Sequence, residues 1–276
     1  MNPFKEKCIK LRKQGYTLKE IMLMTGKPKT SVYFHISDIP LSQSKIDSIK
    51  KAAGIRAKRI AEARKGKSIR TFKQFKRWTP SKVSLVSHLI FDGTIDKKGC
   101  AYNNRNDALL NKVKVAMTEL YDYEPKMYVN KLTGVNRISY HNVALANFLN
   151  VKSAELISKV SKFPKSLKIE FLRAFFDDEG CMDFRPSKNR RSIRGYQKNV
   201  ELLQMIKLLL VDLSISSRII RPNEVVITGK ENLLRFKKHV NFSPGVYING
   251  NRSNSTWKKH LEKRVLLDQA IKSFKT

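Results

Sequence analysis

The sequence has little cysteine, and its cysteines follow no recognisable pattern. Cys8, Cys100 and Cys181 are the three among 276 residues, and no two of them have CxxC spacing. An odd, scattered set argues against a disulfide framework and against a zinc site. We therefore expect the protein in a reducing compartment.

Long hydrophobic runs are also missing. No apolar stretch approaches the roughly 18–20 residues of a membrane-spanning helix, and no signal peptide opens the sequence. We therefore expect no membrane partner and a cytoplasmic location.

Acidic residues are scarce. The sequence has 23 Asp and Glu against 56 Lys and Arg, a formal net charge of +33. Self-repulsion at this level is costly unless the partner is a polyanion, and nucleic acid is the first candidate. A ribosomal or membrane-surface protein is the alternative explanation. If DNA is the partner, the protein is a DNA-associated one.

Residues 1–40 have the pattern of a small all-α module. Apolar residues from Phe4 to Leu11 lie on one face of a helix, and Thr17 and Glu20 have the capping-box spacing that begins a second one. The stretch YTLKEIMLMTGKPKTSVYFHI resembles the helix-turn-helix family. That resemblance implies a third helix in the major groove, and a packing unit that does not touch DNA is the alternative. The side chains implied near DNA are Lys29, Ser31, Tyr33, Phe34 and His35.

Residues 41–78 are predicted to form a basic helical linker. From Lys45 to Lys82 there are 14 Lys or Arg against two acids. Alanine is frequent and large apolar residues are sparse, which favours a helix without a core. We expect this segment to lie along phosphates without selecting a sequence.

The rest of the chain repeats one order of elements. Thr79 and Pro80 begin a helix, and two strands, a helix, a hairpin and another helix follow. The same order returns in the second half, so that residues 79–160 and 161–276 form two αββαββα repeats, the second with a C-terminal helix. Such repetition predicts pseudo-twofold symmetry within a monomer.

Each repeat opens with a helix that ends on an acid and a glycine. Leu85–Gly93 reads LVSHLIFDG and Leu172–Gly180 reads LRAFFDDEG. These nonamers resemble the paired motifs of the LAGLIDADG homing endonuclease family in its monomeric, two-motif form. The resemblance implies an α+β fold, a duplicated αββαββα saddle preceded by the small helix-turn-helix domain. It also implies site-specific cleavage of double-stranded DNA, with the function of homing.

Asp92 and Glu179 occupy helix C-termini, where the helix dipole disfavours an acid by about 0.3–1 kcal/mol. If the two helix ends converge, a cation resolves the repulsion, and carboxylates are hard ligands that suit Mg²⁺ (or Mn²⁺). We therefore predict Asp92 and Glu179 as catalytic metal ligands. Asp177 and Asp178 are interpreted as solvated or helix-capping, and the resemblance adds Asp178 as a ligand through its backbone carbonyl. The alternative is that both motifs are ordinary helix stops with glycine in the left-handed conformation.

The family resemblance also implies a basic residue near the scissile phosphate and sheet residues that contact bases. Arginine and glutamine pair bidentately with guanine and adenine. The candidates for the basic pocket are Lys152, Arg252 and Lys258. The candidates for DNA contact are Tyr128, Asn130, Arg137 and Ser139 in the first repeat, and Arg185, Arg190, Arg194 and Gln197 in the second.

Two other functions fit the same sequence. A retired nuclease domain could serve as a DNA-binding transcription regulator, because Ile90 and Phe91 make the first motif the looser of the two. A basic saddle could also grip structured RNA in splicing.

Overall fold

The structure, a computed structural model, describes residues 3–64, 70–220, 223–249 and 257–274. Its contacts divide the chain into two units, Met1–Ile69 and Arg70–Thr276. No described helix combines the length and the apolar character needed to cross a membrane.

The first unit is helical, as predicted. Cys8, Ile21, Val32 and Ile36 form its small core. The predicted capping box is present, because the Thr17 side chain accepts from the Glu20 backbone and the Glu20 side chain accepts from the Thr17 backbone. Its helices are α1 (Pro3–Lys13), α2 (Leu18–Thr25), α3 (Lys29–Ile36) and α4 (Gln43–Arg64).

The second unit contains the duplication. In its first repeat the Thr79 side chain caps helix α5 and Pro80 occupies the first turn, where proline needs no hydrogen-bond partner. The elements of this repeat are α5 (Pro80–Phe91), β1 (Gly93–Asp96), β2 (Gly99–Asn104), α6 (Asp107–Thr118), β3 (Lys126–Val129), β4 (Asn136–Tyr140) and α7 (Val143–Lys159).

The second repeat has the same order, followed by one more helix. Its elements are α8 (Lys165–Asp178), β5 (Gly180–Arg185), β6 (Arg190–Tyr196), α9 (Val200–Val211), β7 (Arg218–Ile220), β8 (Glu224–Thr228), α10 (Lys230–His239) and the C-terminal α11 (Lys263–Lys272). The αββαββα pattern and the α+β class predicted from the sequence are thus confirmed.

Each repeat builds one antiparallel four-stranded sheet. The strand orders are β1-β2-β4-β3 and β5-β6-β8-β7, which are the same topology. Alternate residues of each strand face the helices; in the second sheet these are Met182, Phe184, Ile193, Val225 and Ile227, all buried. The opposite faces hold most of the polar residues, and helices α5 and α8 belong to one continuous core.

Candidate active site at the ends of the paired helices

Helices α5 and α8 pack against each other. Ser87 and Ala174 occupy equivalent positions in the two motifs, and both are fully buried. Because their side chains are small, the two helices can approach each other closely. Phe91, a large residue at the end of α5, is accommodated by aromatic neighbours on α8. Its ring centroid lies 5.3 Å from that of Phe171 and 5.2 Å from that of Phe175.

The contacts between the helices obey a twofold relation. The motif acids are 87 residues apart (179 − 92 = 87), so Phe91 is equivalent to Asp178, and His88 to Phe175. Phe91 meets Phe175, and Asp178 Oδ2 lies 2.8 Å from His88 Nδ1. The same two positions therefore meet twice, once as a pair of rings and once as an acid with an imidazole. A pseudo-twofold axis between the helices produces this repetition.

The side chain of Asp178 is enclosed by the first repeat. The Tyr102 hydroxyl donates to Oδ1 at 2.5 Å, and Asn104 Nδ2 lies 3.4 Å from the same atom. The side chains of His88 and Asp178 are both 0% exposed. The prediction that Asp178 is solvated is therefore wrong, and its carboxylate is already satisfied. Only its backbone carbonyl remains as the metal contact implied by the family resemblance.

Asp177 is also buried rather than solvated. Its Oδ1 accepts from the Ser243 backbone at 2.8 Å, and its Oδ2 lies 4.0 Å from Lys112 Nζ. These contacts join α8 to α6 and to the segment after α10, so Asp177 holds elements together.

Asp92 and Glu179 remain as the partly exposed acids of the motifs. Asp92 follows α5 directly and accepts a hydrogen bond from Asn104 Nδ2 at 3.0 Å. Burial, followed by the charge of Asp178, raises the pKa of Asp92 to about 6. Burial, followed by the charges of Asp92 and Asp178, raises the pKa of Glu179 to about 7. The two carboxylates thus share one electrostatic environment that disfavours negative charge.

Lys263 is the basic residue of this site, and the sequence analysis missed it. Its Nζ donates to the carbonyl oxygens of Asp177 at 2.6 Å and Phe176 at 3.2 Å, at the C-terminal end of α8. Its charge lowers the pKa of both Asp92 and Glu179, while burial lowers its own pKa. A cation at the negative end of a helix dipole is favourable.

A signal for Lys263 exists in the sequence. It stands in line with Leu266, Leu267 and Ala270, which are spaced i+3, i+4 and i+7 from it on the buried stripe of α11. A lysine on that stripe is placed inside the protein rather than in solvent.

The three predicted basic residues are placed differently. Lys152 Nζ bonds Glu155 at 2.7 Å and lies 5.0 Å from the Phe75 ring centroid, so it is corrected from a phosphate contact to a packing residue between α7 and the chain before α5. Lys258 is exposed in the segment before α11. Arg252 lies outside the described residues.

Gly93 and Gly180 serve close packing rather than a left-handed helix stop. Neither is among the glycines with positive φ. A Cβ added to Gly93 would lie 2.6 Å from the Leu89 carbonyl oxygen, and one added to Gly180 would lie 2.5 Å from the Phe176 carbonyl oxygen. The alternative explanation of the two motifs as ordinary glycine stops is therefore wrong. The glycines allow the first strand of each sheet to start against the helix that bears the acid.

We expect Gly180→Ala to destabilise the second unit by about 2 kcal/mol or more, because backbone rather than a flexible side chain must move to admit the methyl group. Urea unfolding followed by tryptophan fluorescence measures the change, since Trp78 and Trp257 both belong to this unit. Gly134→Asn is the matched control, at a turn with φ of 67° where an added side chain meets nothing within 4 Å. Equal stability of Gly180→Ala and the wild type would contradict the packing role.

The predicted DNA contacts of the first sheet differ in exposure. Tyr128 is 51% exposed, and Asn130 and Arg137 are also exposed. Asn130 Oδ1 accepts from the backbone of its own turn. Ser139 is corrected, because it is 2% exposed and accepts from Arg137 Nε at 3.1 Å. Ser139 therefore supports Arg137 instead of presenting a surface.

The predicted arginines of the second sheet lie together on its outer face. Arg185, Arg190 and Arg194 all bond Asp183. A depression of about 660 Å³ adjoins two of them. Gln197 lies just beyond β6, and its side-chain oxygen accepts from the Asn199 backbone.

On helix α3 of the first unit, Lys29, Ser31, Tyr33 and Phe34 are exposed. His35 is half-buried, and its ring meets Phe4 and Phe34 edge-on, so it also has a packing role.

The two matching sheets and the paired acid-ending helices together define a duplicated α+β architecture. Residues 166–241 match the family model described as LAGLIDADG-like domain. This match covers most of the second repeat and confirms the resemblance for the second motif, Leu172–Gly180. No curated protein sequence matches the chain.

Solved structures with a similar fold come from two kinds of protein. I-DmoI in complex with DNA and Mn has 15% identity and a TM-score of 0.44, covering 59% of this chain and 97% of that one. The N-terminal LAGLIDADG domain of DUF199/WhiA has 15% identity and a TM-score of 0.45, covering 62% and 88%. Full-length DUF199/WhiA from Thermatoga maritima has 15% identity and a TM-score of 0.47, covering 74% and 64%.

Proposed function

We propose that this protein is a monomeric, site-specific endonuclease that cuts double-stranded DNA by Mg²⁺- or Mn²⁺-dependent phosphodiester hydrolysis, with the function of homing. The observation that supports this most is the pairing of α5 and α8, which places Asp92 and Glu179 in one electrostatic environment. A buried carboxylate with only a structural role is expected to have a hydrogen-bond or ion-pair partner. Among the described residues, the Glu179 side chain has no hydrogen-bond or ion-pair partner.

The donor set suits a hard divalent ion. Within the described part of the chain, no group of three or more His, Cys, Asp or Glu side chains could hold a metal by itself. Mg²⁺ does not need such a group, because it keeps several waters and binds one or two carboxylates together with substrate phosphates. Asp92 and Glu179 would hold it, with the Asp178 carbonyl as a further oxygen. Bound there, the ion supplies an activated water and a counter-charge for the leaving oxygen.

The surrounding residues prepare this arrangement. Asn104 donates a hydrogen bond to Oδ2 of Asp92 and thereby fixes the orientation of this carboxylate. Lys263 neutralises the carbonyl end of α8 and limits the repulsion between the two acids. The exposed arginines of the two sheets would contact the duplex, and α3 would add contacts from the first unit in the manner of a helix-turn-helix.

A cleavage-site selection on randomised duplexes tests the proposal. With Mg²⁺ the wild-type protein should cut a defined site, and with chelator it should bind the same site without cutting. Binding should weaken steeply with salt, because Lys and Arg contacts to phosphate release counterions. Absence of cutting from every selected site would reject catalysis.

A non-catalytic DNA-binding regulator is the second candidate. Asp178, the extra acid of the second motif, is hydrogen-bonded to His88. The first motif has Phe91 at the position equivalent to Asp178. The acids near the site are thus asymmetric, and the first motif departs from the second at Phe91. Site-specific binding that is independent of metal, without cleavage, would favour this function.

The raised pKa of Glu179 gives a test of its environment without DNA. Burial and the neighbouring acids raise the pKa of Glu179 to about 7 in the folded protein, against about 4.3 in the unfolded chain. The folded state therefore holds the extra proton between these values, and stability falls as pH rises through this window. We expect Glu179→Gln and the wild type to have the same midpoint of thermal unfolding near pH 4.5. At pH 8 the midpoint of the variant should be about 2–4 °C higher, which corresponds to a gain in the free energy of unfolding of the order of 1 kcal/mol. Thermal unfolding at both pH values measures this; a difference that does not change with pH would contradict it. Glu201→Gln, at an exposed site on α9, is the control.

A further inference from the structure

The outer face of the second sheet contains a buried acid in the middle of its arginines. Asp183 is 8% exposed and lies on β5 opposite Ser192. Its Oδ1 accepts from Arg185 Nε at 2.7 Å, and its Oδ2 lies 3.4 Å from both Arg190 Nη1 and Arg194 Nη1. One carboxylate thus joins three guanidinium groups.

The strand register explains this convergence. Arg185 and Arg190 are direct cross-strand partners, and like charges in that position repel each other. Arg190 and Arg194 lie two residues on either side of Ser192, which puts both on diagonals from Asp183. Those diagonals span about 7–8 Å between backbones, within reach of a long side chain. Without Asp183, electrostatic repulsion would drive the side chains of the three arginines apart.

Glu224 completes the arrangement from β8. It accepts from Arg194 Nε at 3.0 Å and from the terminal nitrogen of the same guanidinium. Arg194 is thereby bonded on two sides, whereas the bonds to Asp183 engage one nitrogen each of Arg185 and Arg190. Each guanidinium has five N–H donors in a rigid fork, so most donors of Arg185 and Arg190 are left over among the described contacts.

Asp183 is too well covered to contact DNA itself. The side chains of Arg185 and Arg190 are 33% and 49% exposed, against 8% for Asp183. The acid therefore acts through the arginines, as a positioning residue. A bidentate arginine pairs with O6 and N7 of guanine in the major groove, and this pairing depends on the direction of the guanidinium plane.

We propose that Asp183 is a specificity-determining residue, which, together with the doubly bonded Arg194, fixes Arg185 and Arg190 as a pair that selects guanines in the half-site facing the second sheet. This inference rests on the proposed binding of double-stranded DNA. It does not depend on whether that DNA is cut.

The test is a binding selection on randomised duplexes with chelator present, followed by affinity measurements on selected and scrambled duplexes at one salt concentration. Asp183→Asn should lose about tenfold or more in the ratio of specific to non-specific affinity. It should bind scrambled DNA somewhat more tightly, because a negative charge is gone. Asp268→Asn is the matched control, since it removes one charge and one ion pair, with Lys237, from two helices outside the sheets. It should keep the ratio.

Two lysine variants show which side of the DNA site changes, and they keep the inference testable if Asp183→Asn does not fold. Arg190→Lys keeps the charge but loses the planar fork, so it should remove guanine preference on one side of the site. Arg137→Lys, in the first sheet, should alter the other side. If the wild type selects a site and neither Asp183→Asn nor Arg190→Lys changes it, or if that site lacks guanines, the inference is wrong while DNA recognition stands. If the wild type selects no site at all, the proposed function fails as well.

Discussion

Replacing Asp92 by Asn or Glu179 by Gln is expected to lower the rate of DNA cleavage by about 10²–10⁴-fold. A ligand to a catalytic metal contributes several kcal/mol to the transition state, and each 1.36 kcal/mol is tenfold in rate. Either amide keeps the shape of the side chain but not its charge, so the proposed metal site would lose one of its two carboxylate ligands. Single-turnover cleavage of the selected duplex with saturating protein measures the chemical step separately from binding.

Affinity for the duplex should not fall in these variants. Removing an acid next to phosphates makes the surface more positive, so the dissociation constant in chelator should stay equal or decrease slightly. Asp96→Asn is the control for Asp92, because Asp96 is an exposed acid in β1 that only caps its own turn. Undiminished cutting by Asp92→Asn would reject the assigned role, and loss of binding together with cutting would indicate a folding defect instead.

The motif acids could be predicted because their signal is local. An acid followed by glycine at the end of an apolar helix, found twice with the same surrounding order of elements, defines the helix pair and the twofold relation without any tertiary information. The capping at Thr79 and the alternation in β3 and β4 are local in the same way. The helix ends, the Thr79 cap and the two strands appear in the structure as predicted, whereas β3 is exposed along its whole length and does not alternate in burial.

The errors concern burial and contacts that only the tertiary structure creates. Asp178 resembles a solvated helix-end acid until His88 and Tyr102 cover it from 90 and 76 residues away in the sequence. Alternation predicts the face of Ser139, but its burial follows from the Arg137 side chain that lies over it. Lys263 could not be predicted from position alone, because Arg252 and Lys258 also follow α10 in the sequence and only the packing of α11 brings Lys263 to the carbonyl end of α8.

The two glycines show how a right pattern can have a different cause. Glycine after a helix usually indicates a left-handed residue. Here glycine is required because Gly93 lies too close to the backbone of Leu89, and Gly180 too close to that of Phe176, to admit a Cβ. The packing of the strand against the helix creates these short distances.

The buried contact between His88 and Asp178 is expected to have the largest effect on stability. Asp178→Leu removes the partner of His88 Nδ1 and of the Tyr102 hydroxyl, and both groups stay enclosed. Breaking a buried pair from one side costs about 3–5 kcal/mol, since the remaining polar group keeps its desolvation penalty. Urea unfolding of the second unit should show this loss through its midpoint.

The pseudo-twofold relation supplies the decisive variant. The equivalent pair, Phe91 with Phe175, is apolar and is tolerated between the same helices. His88→Phe with Asp178→Leu imitates that pair, so the double variant should recover about half or more of the stability lost by Asp178→Leu alone, because no charge or imidazole is left unpaired. Tyr102 keeps Asn104 as a partner at 3.0 Å, which limits what remains unrecovered. A double variant less stable than either single one would show that the apolar pair and the acid–imidazole pair are not interchangeable at the two equivalent positions between α5 and α8.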